Sequence, residues 1–133
     1  TTAERSFWEK ATILHQEAYR PEGSKIPARY SRHYYDVYCM MQHDVKTKAM
    51  NEPELLEAVA DFKAKFYPRN WARYDLARIG TLRLVPAEHS IPALRKDYAD
   101  MRAMIYGVYP CFDEILKGLS RLEKEINNSY RKI

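Results

Sequence analysis

Two side chains stand where the sequence could do chemistry. Lys10 lies one helical turn from both Phe7 and Leu14, at the border of an apolar stripe. A lysine there either snorkels past the core along its stem or points into a cleft and meets a phosphate. Asp36 lies opposite the apolar stripe of the next helical segment, on a face shared with Arg32 and His43. Its plain reading is an exposed i,i+4 ion pair with Arg32, in the less favourable Arg-before-Asp order and worth little. The sharper reading is a charged face of Arg, Asp and His that another domain covers.

A third candidate is a basic, aromatic segment. Residues 63 to 83 hold Lys63, Lys65, Arg69, Arg73, Arg78 and Arg83 against Asp75 alone, a local charge of +5 in a chain whose formal net charge is +4. Phe66, Tyr67, Trp71 and Tyr74 interleave with these cations. Such a mixture can hold RNA through phosphate contacts and base stacking, with Arg69 and Arg73 as the binding residues. Its alternative is structural: the aromatics plug a core and the arginine stems cover it. Cys39 and His43, one helical turn apart, could begin a zinc site, but zinc needs further ligands, and a packed thiol is the simpler reading.

Other chemistry is missing from the sequence. Nucleotidyl transfer on two magnesium ions needs paired carboxylates, usually Asp-x-Asp beside a Gly-Ser turn. Gly23-Ser24 is present, but no Asp-x-Asp occurs. Glu52-x-Glu54 and Glu123-x-Glu125 fall on helices or caps, where i,i+2 side chains diverge. Neither a phosphate-binding glycine loop nor a nucleophile elbow is present.

The elements that must position these residues are helical. The first helix is expected from a Thr2 cap to about Arg20, burying Phe7, Ala11, Leu14 and Ala18, with Pro21 and Gly23 ending it. Ser31 is a suitable N-cap for a second helix with Tyr34, Val37, Tyr38, Met41 and Val45 inside. Asn51 and Pro53 open a third, whose stripe reads Leu55, Val59, Phe62 and Phe66 before Pro68. Periodicity fails from 69 to 86. There, Gly80 and the alternating Leu82-Arg83-Leu84-Val85 suggest an edge strand or a strap. A fourth helix is expected from about Ser90 to Tyr106 over Ile91, Leu94, Tyr98, Met101 and Ile105, with Gly107 at its end. The last runs from about Phe112 to Asn127 over Phe112, Ile115, Leu116, Leu119, Leu122 and Ile126. The fold class is therefore all-α, a compact bundle of about five helices with one irregular or extended stretch near residues 69–86.

The 133 residues, 46% hydrophobic and 30% charged, suit one domain with one core and argue against disorder. No apolar run is long enough to span a bilayer, and the first residues do not resemble a secretory signal. Two distant cysteines point to reduced thiols and a cytoplasmic location. The first methionine is Met40, so Thr1 is read as a processed or trimmed end.

Three stretches carry a family resemblance: Glu4 to His15; Ser31-Arg32-His33-Tyr34-Tyr35-Asp36-Val37-Tyr38; and Trp71 to Pro86 with the helices that follow, including Phe112-Asp113-Glu114-Ile115-Leu116. Together they resemble the AbiEii/AbiGii-type nucleotidyl transferase toxins of bacterial type IV toxin–antitoxin and abortive-infection systems. The resemblance implies that residues 1–133 are a single helical domain, the C-terminal part of a two-domain protein whose polymerase-β-like domain comes first. It assigns catalytic roles to Lys10, in a Glu-Lys motif, and to Asp36, in an Arg-x-x-x-Asp motif. Many members read Lys-Asp-x-x-Asp at the second motif, where this chain has Arg32 and His33 in the first two places. Arg32, Arg69 and Arg73 are the expected nucleotide or nucleic-acid contacts.

No metal ligand or cofactor is expected in this chain, whereas magnesium and a nucleoside triphosphate are implied for the intact protein. Implied partners are the N-terminal nucleotidyltransferase domain, an antitoxin protein and RNA, with no membrane. The chain by itself should then be inactive. The alternative is a free-standing helical module that binds RNA or docks an antitoxin. If the catalytic assignment is right, the first two helices must pack so that Lys10 and Asp36 open onto one surface.

Overall fold

The computed structural model describes residues 2–103 and 109–129. Among them, six α-helices follow one another: α1 Ala3–Ala18, α2 Ser31–Met40, α3 Val45–Met50, α4 Pro53–Phe66, α5 Ile91–Ala103 and α6 Phe112–Ser129. Short 3₁₀ turns at Tyr74–Leu76 and Glu88–Ser90 complete the regular structure, and no strand occurs among the described residues. The protein is all-α. Ile105, Tyr106 and Gly107, expected at the end of the fourth helix, lie outside the described residues.

Helix α1 is the axle of the bundle. Its N-terminus is capped as expected, Thr2 Oγ1 accepting from the Arg5 amide at 3.1 Å. It packs against α2, α3, α4 and the Tyr74–Leu76 turn. A helix so surrounded cannot keep a single apolar stripe. Phe7, Ala11 and Leu14 are buried as expected and Ala18 only partly, but Trp8, Thr12, His15, Gln16, Glu17 and Arg20 are buried too. The polar members survive because each has a partner. Arg20 forks onto Glu17 at 2.6 and 2.9 Å, Gln16 donates to Glu17 at 3.1 Å, and the Tyr74 hydroxyl donates to Gln16 at 2.7 Å.

The second helix is shorter than its periodicity suggested. It ends at Met40, a turn through Met41–Asp44 follows, and Val45 opens the separate helix α3. The break lets α3 come back onto α1, where the Trp8 indole donates to the Ala49 carbonyl at 3.0 Å. Ser31 is not the N-cap either. It is the first helical residue, and the cap comes from α5: Asp97 accepts from the Arg29 amide at 2.7 Å, the Ser31 amide at 3.0 Å and the Ser31 hydroxyl. Burial works against the Asp97 charge, but these hydrogen bonds outweigh it and hold the carboxyl below its ordinary range.

Helix α4 docks with a different face from the one expected. Leu56, Val59 and Ala60 are buried, while Phe62 and Phe66 are 46% and 57% exposed. Residues 69 to 86 form a strap and not an edge strand. Its amides and carbonyls are satisfied by side chains: Gly80 and Leu82 donate to Asn127 Oδ1, Asn127 Nδ2 donates to the Leu82 carbonyl, and Leu84 donates to Glu123. His15 pins the strap from α1. The Arg83 amide donates to its Nδ1 at 3.1 Å, so Nε2 carries the proton and donates to the Arg73 carbonyl at 2.8 Å. On α6, Gly118 lets Tyr38 of α2 lie close, since a Cβ there would stand 2.8 Å from the Tyr38 ring.

Candidate functional site

Helices α1 and α2 pack so that Lys10 and Asp36 meet, with Lys10 Nζ 3.0 Å from Asp36 Oδ2. Their side chains are 33% and 24% exposed, so the pair sits at the surface and solvent reaches both charges. Arg32, one turn before Asp36, approaches the same carboxylate oxygen only to 3.9 Å and is largely exposed. The partner of Asp36 is thus a lysine 26 residues earlier, and the local pairing with Arg32 is secondary. His43 is exposed, in the turn after α2.

Two further residues join this corner. Lys63, near the end of α4, is partly buried and donates to the Glu9 carbonyl at 3.2 Å. Burial pulls its ammonium down to about 8, with Glu9 opposing the shift and Lys10 adding to it. His33, partly buried on α2, lies edge-on to Tyr30 at 4.8 Å, and its Nδ1 finds no hydrogen-bond partner among the described residues. Burial lowers its basicity, Lys10 and Lys63 lower it further, and Asp36 opposes them. In the sequence, Lys63 belonged to the basic segment and His33 to a motif position. Nothing local signalled that either adjoins Lys10.

Arg69 and Arg73 are elsewhere, by the C-terminal end of α1. The Arg69 guanidinium lies 5.7 Å from the Trp71 ring, over which Arg20 also stacks at 4.9 Å. Arg73 takes a left-handed backbone (φ 51°) and forks onto Asp75 with two contacts of 3.2 Å. The structure therefore gathers Lys10, Asp36 and Arg32 and leaves Arg69 and Arg73 on a second surface. The aromatic residues of that segment divide. Tyr74 is buried, whereas Phe62, Phe66 and Tyr67 form an exposed cluster with Lys65 over the Phe66 ring.

The described residues do not fit a magnesium or zinc site. No three Asp, Glu, His or Cys side chains converge among them, and the Asp36 carboxylate is taken up by Lys10. Cys39 is a free, half-buried thiol on α2. A surface cavity of about 440 Å³ between α4 and the Tyr74–Leu76 turn, lined in part by Glu57, Asp61 and Arg78, includes none of Lys10, Asp36, Arg32, Arg69 and Arg73.

An ion-paired lysine and aspartate presented by two packed helices define a helical domain with a charged, partly exposed corner. The chain belongs to the AbiEii nucleotidyl transferase toxin family of type IV toxin–antitoxin systems, whose family model matches residues 1–118. No curated protein and no solved structure matches it. No helix among the described residues is long and apolar enough to cross a membrane.

Proposed function

We propose that this chain is the helical half of a two-part nucleotidyltransferase, docking on a polymerase-β-like domain and completing its active site. The observation that carries the reading is the direct pairing of Lys10 with Asp36 at a partly exposed corner. These are the residues that the family resemblance assigns to catalysis. In the intact protein Lys10 holds the triphosphate and offsets charge that develops on it during transfer. Asp36 keeps the Lys10 ammonium in place and orients the nucleotide or the attacking hydroxyl. The metal chemistry belongs to carboxylates of the other domain, an antitoxin is the expected protein partner, and the cytoplasm the expected compartment.

Two measurements test this. The chain alone, given labelled nucleoside triphosphates, magnesium and total transfer RNA, should incorporate nothing, because no paired carboxylates for two metals occur in it. Incorporation above a buffer blank defeats the reading. In the intact protein Lys10→Ala or Asp36→Ala should reduce transfer by about a hundredfold or more. Both should leave stability within about 1 kcal/mol, the range of partly exposed ion pairs.

The exposed Phe62, Phe66 and Tyr67 beside Lys65 favour one second reading, a helical module that binds RNA by stacking or docks a protein. RNA binding of this kind weakens steeply with salt, and Arg69→Ala with Arg73→Ala should flatten that dependence by about two phosphate contacts.

A further inference from the structure

Lys63 stands out from the other cations of its segment. It lies on the side of α4 that faces α1, its stem partly buried, and its ammonium is held by a backbone carbonyl alone. No ion pair to it occurs among the described residues. Glu9, whose carbonyl it meets, turns its carboxylate to Arg5 at 3.3 Å. A methionine at 63 would fill the same space without desolvating a charge, forgoing only one hydrogen bond to a carbonyl that Thr12 also uses. A charge kept at a cost to stability, beside a functional pair, marks a group whose counter-ion arrives with a ligand. The surroundings specify that ligand. Lys10 and Arg32 share the carboxylate of Asp36, Arg5 pairs with that of Glu9, and Lys63 has none of its own, which leaves these six side chains a net charge of +2, while burial lowers the basicity of His33.

We propose that Lys63 is a second phosphate-binding cation of this corner, gripping with Lys10 the polyphosphate chain of a nucleoside triphosphate. The proposal rests on the reading above that Lys10 faces the nucleotide. Glu9 O serves as the resting acceptor for the Lys63 ammonium, which stays within reach of α1 when a phosphate oxygen becomes its partner. Lys10 keeps Asp36 as its tether, so Lys63 is the cation free to follow the ligand.

The test titrates inorganic tripolyphosphate into the chain and follows the lysine side chains by NMR. The Lys10 and Lys63 signals should shift saturably. Lys63→Met should weaken binding by about tenfold or more and raise the melting temperature by a few degrees. Lys63→Gln gives the same comparison with a polar neutral group. Lys63→Arg should bind within about threefold of the wild type, since it restores the charge. If Lys63→Met binds as tightly as the wild type while Lys10→Ala does not, the Lys63 assignment is overturned and the Lys10 reading stands. If tripolyphosphate shifts neither lysine in the wild type, the proposal is overturned. Transfer assays of Lys10→Ala in the intact protein then judge the catalytic reading separately.

Discussion

Removing the Asn127 side chain should loosen the strap without unfolding the protein. Asn127→Ala deletes an acceptor shared by the Gly80 and Leu82 amides, at 3.0 and 3.1 Å, and the donor to the Leu82 carbonyl at 2.9 Å. Gly80 is exposed and its amide regains water, so that loss is small. Leu82 is fully buried, and both its amide and its carbonyl lose their partner. An unsatisfied buried polar group costs about 1–3 kcal/mol, and partial entry of water keeps the two together to about 2–4 kcal/mol. That is less than the typical stability of a domain this size, roughly 5–15 kcal/mol. Urea unfolding followed by circular dichroism at 222 nm measures the total, and amide exchange at Leu82 locates it. Asn127→Asp, which keeps the acceptors but sets a carboxylate against the Leu82 carbonyl, should be intermediate. A change below about 0.5 kcal/mol for Asn127→Ala, or unaltered exchange at Leu82, would refute the claim that this amide holds the strap.

Two more predictions concern pH and the face of α4. Burial lowers the pKa of His15, with Arg83 adding to the shift and the Arg73 carbonyl opposing it, so the unfolded chain takes up its proton first. The stability tied to neutral His15 is therefore complete above about pH 6.5 and declines as pH falls below it. His15→Gln retains a donor and an acceptor without titrating, so urea unfolding between pH 7 and 5 should show a slope smaller by up to one proton. An unchanged slope counts against the neutral imidazole. On α4, Leu56→Ala should cost about 2–5 kcal/mol, whereas Phe62→Ser with Phe66→Ser should cost little. Comparable losses in thermal unfolding would put the aromatics in the core after all.

The helical class, most helix boundaries and the irregular stretch after Pro68 could be read from sequence, because they depend on local rules. Thr2 caps α1, Pro53 opens α4, and Gly80 stands at a positive φ of 107° in the strap. The turn at Met41–Asp44 contains no glycine or proline. What breaks the helix there is the return of α3 to Trp8, a contact 41 residues away. On α4, Val59 belongs both to the stripe Leu56, Val59, Ala60 and to the stripe Leu55, Val59, Phe62, Phe66. Periodicity could not choose between them, and aromatic bulk favoured the wrong one. The packing of small Ala60 and partly buried Lys63 towards α1 settled it.

Site residues divide in the same way. Residue types and motif positions named Lys10, Asp36 and Arg32 as candidates. A hydrophobic pattern records which face of one helix is dry, and it carries no information about which two helices meet. That Lys10 reaches Asp36 rather than solvent, that Lys63 and His33 adjoin them, and that Arg69 and Arg73 do not, follows from α1 being enclosed by α2, α3, α4 and the Tyr74–Leu76 turn. The same enclosure explains the buried Glu17–Arg20 pair and neutral His15. A helix covered on nearly every side can keep polar groups only where each has a partner, supplied locally, as Glu17 is for Arg20, or by other elements up to 68 residues away, as for His15.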